Sequence, residues 1–316
     1  MNERVACRHL TVAYGDHVAA DAVSFTVGRG EVFGLLGPNG AGKTSVIRAL
    51  TTIIAPRSGS ASIAGHELHD QTAIRRRIGV LPESSGYPKA PTGEQYLVYF
   101  GRIYGLGEPE ARHRADALLE RFGLAATTTR ISAYSRGMRQ RLGLCRAMIN
   151  NPEVLFLDEP TLGLDPAGKD EIVRHLGELA AANGTTVVLC THLLDEVERV
   201  CDRIAIMNRG AIVATGTVED VILRATGAEI ARLHVHPDDA VGAARLIERS
   251  VGAAAVGLDE SRPGVIDVAL SAGVGTGAAM LRAALDADVE VLGFERHRAT
   301  LTDAFLELTA DQEVAA

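Results

Sequence analysis

Gly37-Pro38-Asn39-Gly40-Ala41-Gly42-Lys43-Thr44 decides how the rest of the chain is read. The octapeptide fits G-x-x-x-x-G-K-[ST], the phosphate-binding loop. The residues ahead of it, Glu31-Val32-Phe33-Gly34-Leu35-Leu36, predict a short buried strand. Those behind it, Ser45-Val46-Ile47-Arg48-Ala49-Leu50, predict a helix with its apolar side inward. Strand, glycine loop and helix is the setting this loop needs. Glycines let the backbone fold tightly, so several N–H groups point at one place. The helix adds roughly half a positive charge at its N-terminus, and the two together favour phosphate oxygens. The candidate contacts are Gly37, Pro38, Asn39, Gly40, Ala41, Gly42, Lys43, Thr44 and Ser45. Lys43 would reach the β- and γ-phosphates and the Thr44 hydroxyl would hold Mg²⁺.

Two further stretches supply chemistry to such a site. Val154-Leu155-Phe156-Leu157-Asp158-Glu159 is an apolar strand ending in two carboxylates. In open α/β sheets, ligands bind in the crevice at the carboxyl ends of the strands. Asp158 is placed to orient Mg²⁺, directly or through water, and Glu159 is the candidate base for an attacking water. Thr185 to Cys190 predicts the next buried strand, closed by Thr191-His192. His192 would then reach the same crevice and touch the γ-phosphate. Lys43, Glu159 and His192 are the candidate catalytic residues, with Thr44 and Asp158 as metal ligands.

Working outward, Val5 to Ala13 and Ala22 to Val27 predict strands, an antiparallel β layer ahead of the loop. Tyr14 follows the first strand; on pattern alone it is a surface turn aromatic. Ser58-Gly59-Ser60 reads as a turn and Ala61 to Gly65 as a strand. Gln71 to Arg77 reads as a helix, and Ile78 to Leu81 as a buried strand running into Pro82-Glu83 and a turn-rich loop from Ser84 to Pro91. Thr92 caps a helix that carries Tyr96, Leu97, Phe100 and Ile103 at helical spacing. A second helix starts near Pro109, a favoured first position, and ends at Phe122. Tyr134-Ser135-Arg136-Gly137-Met138-Arg139-Gln140-Arg141 opens a third, with Ser135 as its cap. Residues from about 84 to 150 therefore read as a helical insertion in an α/β domain. Leu162-Gly163-Leu164-Asp165-Pro166 turns into a helix ending near Asn183-Gly184, and Asn208-Arg209-Gly210 links a hairpin.

Composition bounds the rest. The chain has 316 residues, a prior for about two domains. Its net charge of −8 does not invite nucleic acid or an anionic membrane surface. Four cysteines without a C-x-x-C pair read as reduced, core-filling thiols. The N-terminus has no apolar signal region, and no stretch of 18 apolar residues predicts a membrane span.

Five motifs in order then carry a family resemblance across roughly residues 3–225. They are the phosphate loop, Pro82-Glu83, Tyr134-Ser135-Arg136-Gly137-Met138, Asp158-Glu159 and His192. The chain resembles the ATP-binding subunits of ATP-binding-cassette (ABC) transporters. The resemblance implies a P-loop NTPase fold, Mg²⁺-dependent ATP hydrolysis and a dimer. In that dimer Tyr14 would stack on adenine, Ser135 with Gly137 would bind the γ-phosphate of the opposing subunit's ATP, Asp165 would lie at the interface as the D-loop, and His192 would sense the γ-phosphate. Glu83 stands where the family usually has glutamine at the Q-loop. The signature usually reads Leu-Ser-Gly-Gly-Gln, so Tyr134, Arg136 and Met138 differ while Ser135 and Gly137 are kept. Both variants look like those of bacterial single-domain exporter ATPases of the drug-resistance or sodium-efflux type.

The expected fold is α/β: a P-loop NTPase core with an antiparallel β layer and helical insertion over 1–225, then a small α+β domain over 226–316. From Gly227 onward the pattern is strand, helix, strand, strand, helix, strand, helix, with a capping pattern at Thr300–Asp303 and a helix from Thr276. It shows no chemical motif and reads as an accessory domain. The expected function is ATP hydrolysis driving transport, outward in direction by the family likeness, through a separately encoded multi-helix membrane permease. The protein would sit peripherally on the cytoplasmic face of the membrane, as a homodimer or paired with another ATP-binding subunit, without nucleic acid. The alternatives are a soluble non-transport ATPase or a nucleotide-dependent regulatory module. A mechanical ATPase needs a long coiled coil between phosphate loop and signature, and a GTPase needs Asn-Lys-x-Asp; neither is present.

Overall fold

A computed structural model describes residues 3–83, 86–125, 127–226, 228–251, 255–258, 262–271, 277–287, 289–297 and 299–310. Ser84, Ser85, Gly227 and Thr276, which fall in expected loops or element starts, lie outside these. The chain divides into two compact units, Met1–Thr217 and Val218–Ala316.

In the first unit, β1 (Glu3–Tyr14), β2 (His17–Gly28), β4 (Ser58–Ile63) and β5 (His66–Glu67) form an antiparallel sheet in the order β2-β1-β4-β5. The second sheet has the order β10-β9-β3-β8-β7-β6. It uses β3 (Val32–Leu36), β6 (Ile78–Leu81), β7 (Val154–Asp158), β8 (Thr186–Cys190) and β9 (Arg203–Asn208) in parallel, with β10 (Ala211–Thr217) antiparallel at the edge. Strands β3, β7 and β8 are buried at every position, as expected of parallel strands covered on both faces. The helix after the loop, α1 (Lys43–Leu50), buries Val46, Ile47, Ala49 and Leu50 at the spacing of one helical face.

One core packs between the two sheets and includes α2 (Gln71–Arg77) through Ile74; in it Phe25 stacks on Phe33 with centroids 5.0 Å apart. Burying such a ring contributes about 1.5–3 kcal/mol. The other core packs α3 (Gly93–Ile103), α4 (Glu108–Arg121), α5 (Arg136–Met148) and α6 (Pro166–Asn183) on the opposite face of the parallel sheet. Helix α3 starts with a full capping box: the Thr92 hydroxyl accepts from the Gln95 N–H and the Gln95 side chain accepts from the Thr92 N–H. Gly184, in the left-handed conformation, ends α6. Helix α7 (Leu194–Val200) leads into β9.

Two expectations are corrected. The second strand begins at His17 rather than Ala22, because Ala22 sits at φ 48 in a bulge that breaks the alternation of its first half. Ser58-Gly59-Ser60 is not a turn but the start of β4, pairing Ser60 with Arg8 and Ser58 with Thr11. Gly59, at φ 85, takes up the irregularity where the His9 carbonyl leaves no room for a Cβ. Ile103, in helical spacing with Tyr96 and Leu97, closes α3 with 59% of its surface exposed.

The second unit starts with α8 (Val218–Thr226), which packs on α11 (Leu301–Ala310). The expected boundary at 225 falls in the last turn of α8. Strands β11 (Ala228–Val235), β12 (Ala255–Leu258), β13 (Val265–Ser271) and β14 (Val291–His297) form an antiparallel sheet in the order β12-β13-β11-β14. Helices α9 (Ala240–Val251) and α10 (Gly277–Asp286) join it in a core of Leu233, Val235, Ile247, Ile266 and Met280. Thr300 and Asp303 cap α11 reciprocally.

Candidate functional site

Tyr14, His17, Ala19, Asn39 to Ser45, Glu83, Asp158 and Glu159 line one cleft of about 470 Å³ at the carboxyl ends of β3 and β7. Strand β3 delivers the loop, β7, separated from it in the sheet by β8, delivers the carboxylates, and the antiparallel layer supplies Tyr14, which is 44% exposed. His17 and Ala19 carry no motif and were not expected there. They come with the hairpin whose early start the bulge conceals.

The loop is held closely by its surroundings. Gly42 caps α1 at φ 99, and a Cβ there would collide with the Ala19 carbonyl of β2. Only glycine meets both demands. Lys43 is buried, and its Nζ donates to the Gly37 carbonyl at 2.6 Å and the Pro38 carbonyl at 3.1 Å. The ammonium thus lies across its own loop, beside the N–H groups that would meet phosphate.

Thr44 and Asp158 meet across the cleft: the Thr44 hydroxyl donates to Asp158 Oδ2 at 3.2 Å. Burial pushes the Asp158 carboxyl above the usual carboxylate range. Hydrogen bonds from Cys190 and Thr44 oppose the shift, and the negative charges of Glu83 and Glu159 add to it. A carboxylate so placed favours a cation. Among the described residues no group of three His, Cys, Asp or Glu side chains forms a metal cage. A hydroxyl and one carboxylate suit Mg²⁺, which takes phosphate and water as its other ligands.

Glu159 sits at φ 50, an unusual conformation for a residue with a side chain. Its carboxylate is fixed from β8: Thr191 Oγ1 donates to Oε2 at 3.2 Å, the His192 N–H donates to Oε1 at 3.2 Å, and His192 Nδ1 lies 2.7 Å from Oε1. Its backbone is fixed from α5, where Gln140 Nε2 donates to the carbonyls of Glu159 and Pro160, both at 2.9 Å. Thr191 and Gln140 had no assigned role in the sequence. Neither belongs to a spacing pattern, and only the fold brings them to Glu159. Just beyond, Thr161 Oγ1 donates to buried Glu196 at 2.7 Å, and Lys169 lies 3.8 Å from the other oxygen.

Ser135, Arg136, Gly137, Met138 and Asp165 do not line this cleft. Ser135 caps α5, its hydroxyl accepting from the Met138 N–H at 3.1 Å. Leu164 lies against Gly137, and the Arg136 side chain lies across Gly163, which is at φ 81. Asp165 is exposed at the start of α6.

Residues 20–162 match the protein family described as ABC transporter. The chain is 38% identical over 300 residues to the daunorubicin resistance ATP-binding protein DrrA3 of Streptomyces coeruleorubidus, covering 94% of this chain and 93% of that one. It is 36% identical over 225 residues to the linearmycin resistance ATP-binding protein LnrL of Bacillus subtilis, covering 71% and 72%. Among solved structures, an ATP-binding subunit of an ABC transporter superposes with a TM-score of 0.65 at 33% identity, covering 70% of this chain and 92% of that one.

Proposed function

The chain belongs to the ATP-binding subunits of ABC transporters, and from that premise we propose that it hydrolyses ATP with Mg²⁺ to drive export through a separately encoded multi-helix membrane permease. The observation that supports this best is the meeting of Lys43, Thr44, Asp158 and Glu159 around one cleft, with His192 on Glu159. Relatives named for daunorubicin and linearmycin resistance favour a toxic compound moved outward. Among the described residues no helix is long and apolar enough to cross a membrane, and the proposed pathway is that of the permease. The protein would work at the cytoplasmic face of the membrane.

On this reading each residue has a role. The loop N–H groups and Lys43 take the β- and γ-phosphates, and Tyr14 offers a ring face to adenine. Thr44 and Asp158 would hold Mg²⁺, which draws charge from the phosphate oxygens. Glu159 accepts the proton of the attacking water. With Glu159 ionised, the His192 Nδ1–H donates to it, which leaves Nε2 for the γ-phosphate. Nε2 can donate there only from the imidazolium. The signature residues Ser135 and Gly137 lie outside the cleft and would meet the ATP of a second subunit, with Asp165 at the interface. Arg136 and Met138 flank that contact. The exposed groove of Tyr99, Ile103 and Val98 on α3 would receive the permease.

Co-purification with the membrane protein encoded beside it, followed by ATPase assay with candidate toxic compounds, tests the reading. Stimulated hydrolysis in the complex is expected. A chain that hydrolyses ATP only when bound to a soluble partner would overturn it.

A further inference from the structure

We infer that Gln140 is a positioning residue for Glu159, and that it ties the signature helix to the base within one chain. The inference rests on the proposed role of Glu159. A glutamine side-chain amide has two N–H bonds. Both are used here, one on the Glu159 carbonyl and one on the Pro160 carbonyl, each at 2.9 Å. The Glu159 carbonyl also accepts from the Leu162 N–H at 3.2 Å. These contacts hold the turn in which Glu159 adopts φ 50.

That backbone conformation matters because it aims the carboxylate. Strand β7 ends at Asp158, and an extended residue next would send its side chain to the opposite face of the sheet. The left-handed turn instead brings Glu159 to the same cleft as Asp158, where Thr191 and His192 receive it. Left-handed backbone at a residue with a Cβ persists only where neighbours impose it. Gln140 imposes it from one side and the Glu159 N–H to the Cys190 carbonyl, at 2.8 Å, from the other.

Gln140 is also five residues along the helix that Ser135 caps, a rise of about 7.5 Å. Farther along, Arg141 pairs with Glu171 of α6 at 3.2 Å. Whatever engages Ser135 therefore acts on the same short rigid segment that holds the carbonyls of the base. In a dimer with shared sites, Ser135 meets one ATP and Glu159 the other, and Gln140 spans the two within a subunit.

The test is a double-mutant cycle in the full-length protein with Gln140→Leu and Glu159→Gln. It measures hydrolysis per bound ATP, ATP affinity and the ATP-bound dimer by gel filtration. Gln140→Leu should lower hydrolysis per bound ATP by roughly tenfold or more. It should leave ATP affinity unchanged and let the ATP-bound dimer accumulate. A merely structural loss would reduce binding and dimer together. On the Glu159→Gln background, Gln140→Leu should cost nothing further, because its effect passes through the base. If leucine does not fold, Gln140→Glu keeps the shape while losing the paired donors. Full hydrolysis per bound ATP in Gln140→Leu, with Glu159→Gln inactive, overturns the inference alone. A fully active Glu159→Gln overturns the role of the base as well.

Discussion

Glu159 Oε1 and His192 Nδ1 lie 2.7 Å apart, although 33 residues separate them in the chain. The contact joins the ends of two adjacent parallel strands, β7 and β8, so the base and its partner share one rigid platform. Replacing either should therefore affect turnover more than nucleotide binding. Glu159→Gln should bind Mg·ATP and hydrolyse it about 10²-fold or more slowly. His192→Ala should also keep its affinity while losing turnover, because Oε1 loses its nearest partner. Equilibrium binding of a fluorescent ATP analogue beside steady-state phosphate release checks both. Wild-type turnover in Glu159→Gln would remove it from the role.

The active dimer should have shared sites, which a mixed dimer can test. One subunit carries Lys43→Ala, which removes the phosphate-loop cation, and the other carries Gly137→Asp, which sets a carboxylate in the signature. Each homodimer should be inactive. In the mixed dimer one site holds both lesions and the other holds neither, so nucleotide trapping should return at the intact site. If exchange of subunits is demonstrated and no trapping returns, the shared arrangement is wrong.

Stability should depend on pH through Glu196. Burial pushes its carboxyl up from the ordinary range, with the Thr161 hydrogen bond and the Lys169 charge pulling the other way. A carboxyl raised on folding is penalised when ionised, so its contribution falls as the pH climbs from about 4.3, its unfolded value, through the folded value, and levels off above it. Glu196→Gln should flatten that part of the profile and be at least as stable as the native chain at neutral pH. Urea midpoints between pH 4.5 and 7.5 read this out. A variant less stable at every pH would show that the Lys169 contact outweighs burial.

A chain ending at Thr217 should fold and bind ATP. The nucleotide-site residues named above all precede that point, and α8 clusters with the second unit through α11. Its ATP affinity should stay within about threefold of the full chain, roughly 0.7 kcal/mol. A chain ending at 225 keeps α8 without the α11 that covers it, and should be the less soluble of the two. Equal solubility would show that α8 needs no such cover.

The central site was legible because its residues are fixed by local backbone needs. The loop requires glycines, the buried strands require apolar runs, and strand order then sets the carboxylates beside the loop. What the sequence concealed depends on bulges and on distant side chains. Ala22 breaks the alternation of β2, so His17 and Ala19 gave no sign of reaching the cleft. Gln140 acts through two hydrogen bonds and Thr191 through one, to atoms 19 or more positions away, which leave no periodic trace. Helix α8, nine residues long, was not read from the sequence, although the seven-residue α2 was.

The Arg136 side chain lying across Gly163 gives these two positions a history that single substitutions must respect. With the arginine where it lies, a Cβ on Gly163 needs that side chain to move aside and also needs a left-handed backbone angle. Shortening position 136 first clears the space and leaves only the cost of a left-handed residue with a Cβ, about 1–3 kcal/mol. Change in the opposite order meets both obstacles at once. A laboratory lineage started from this chain should therefore replace Arg136 before it replaces Gly163.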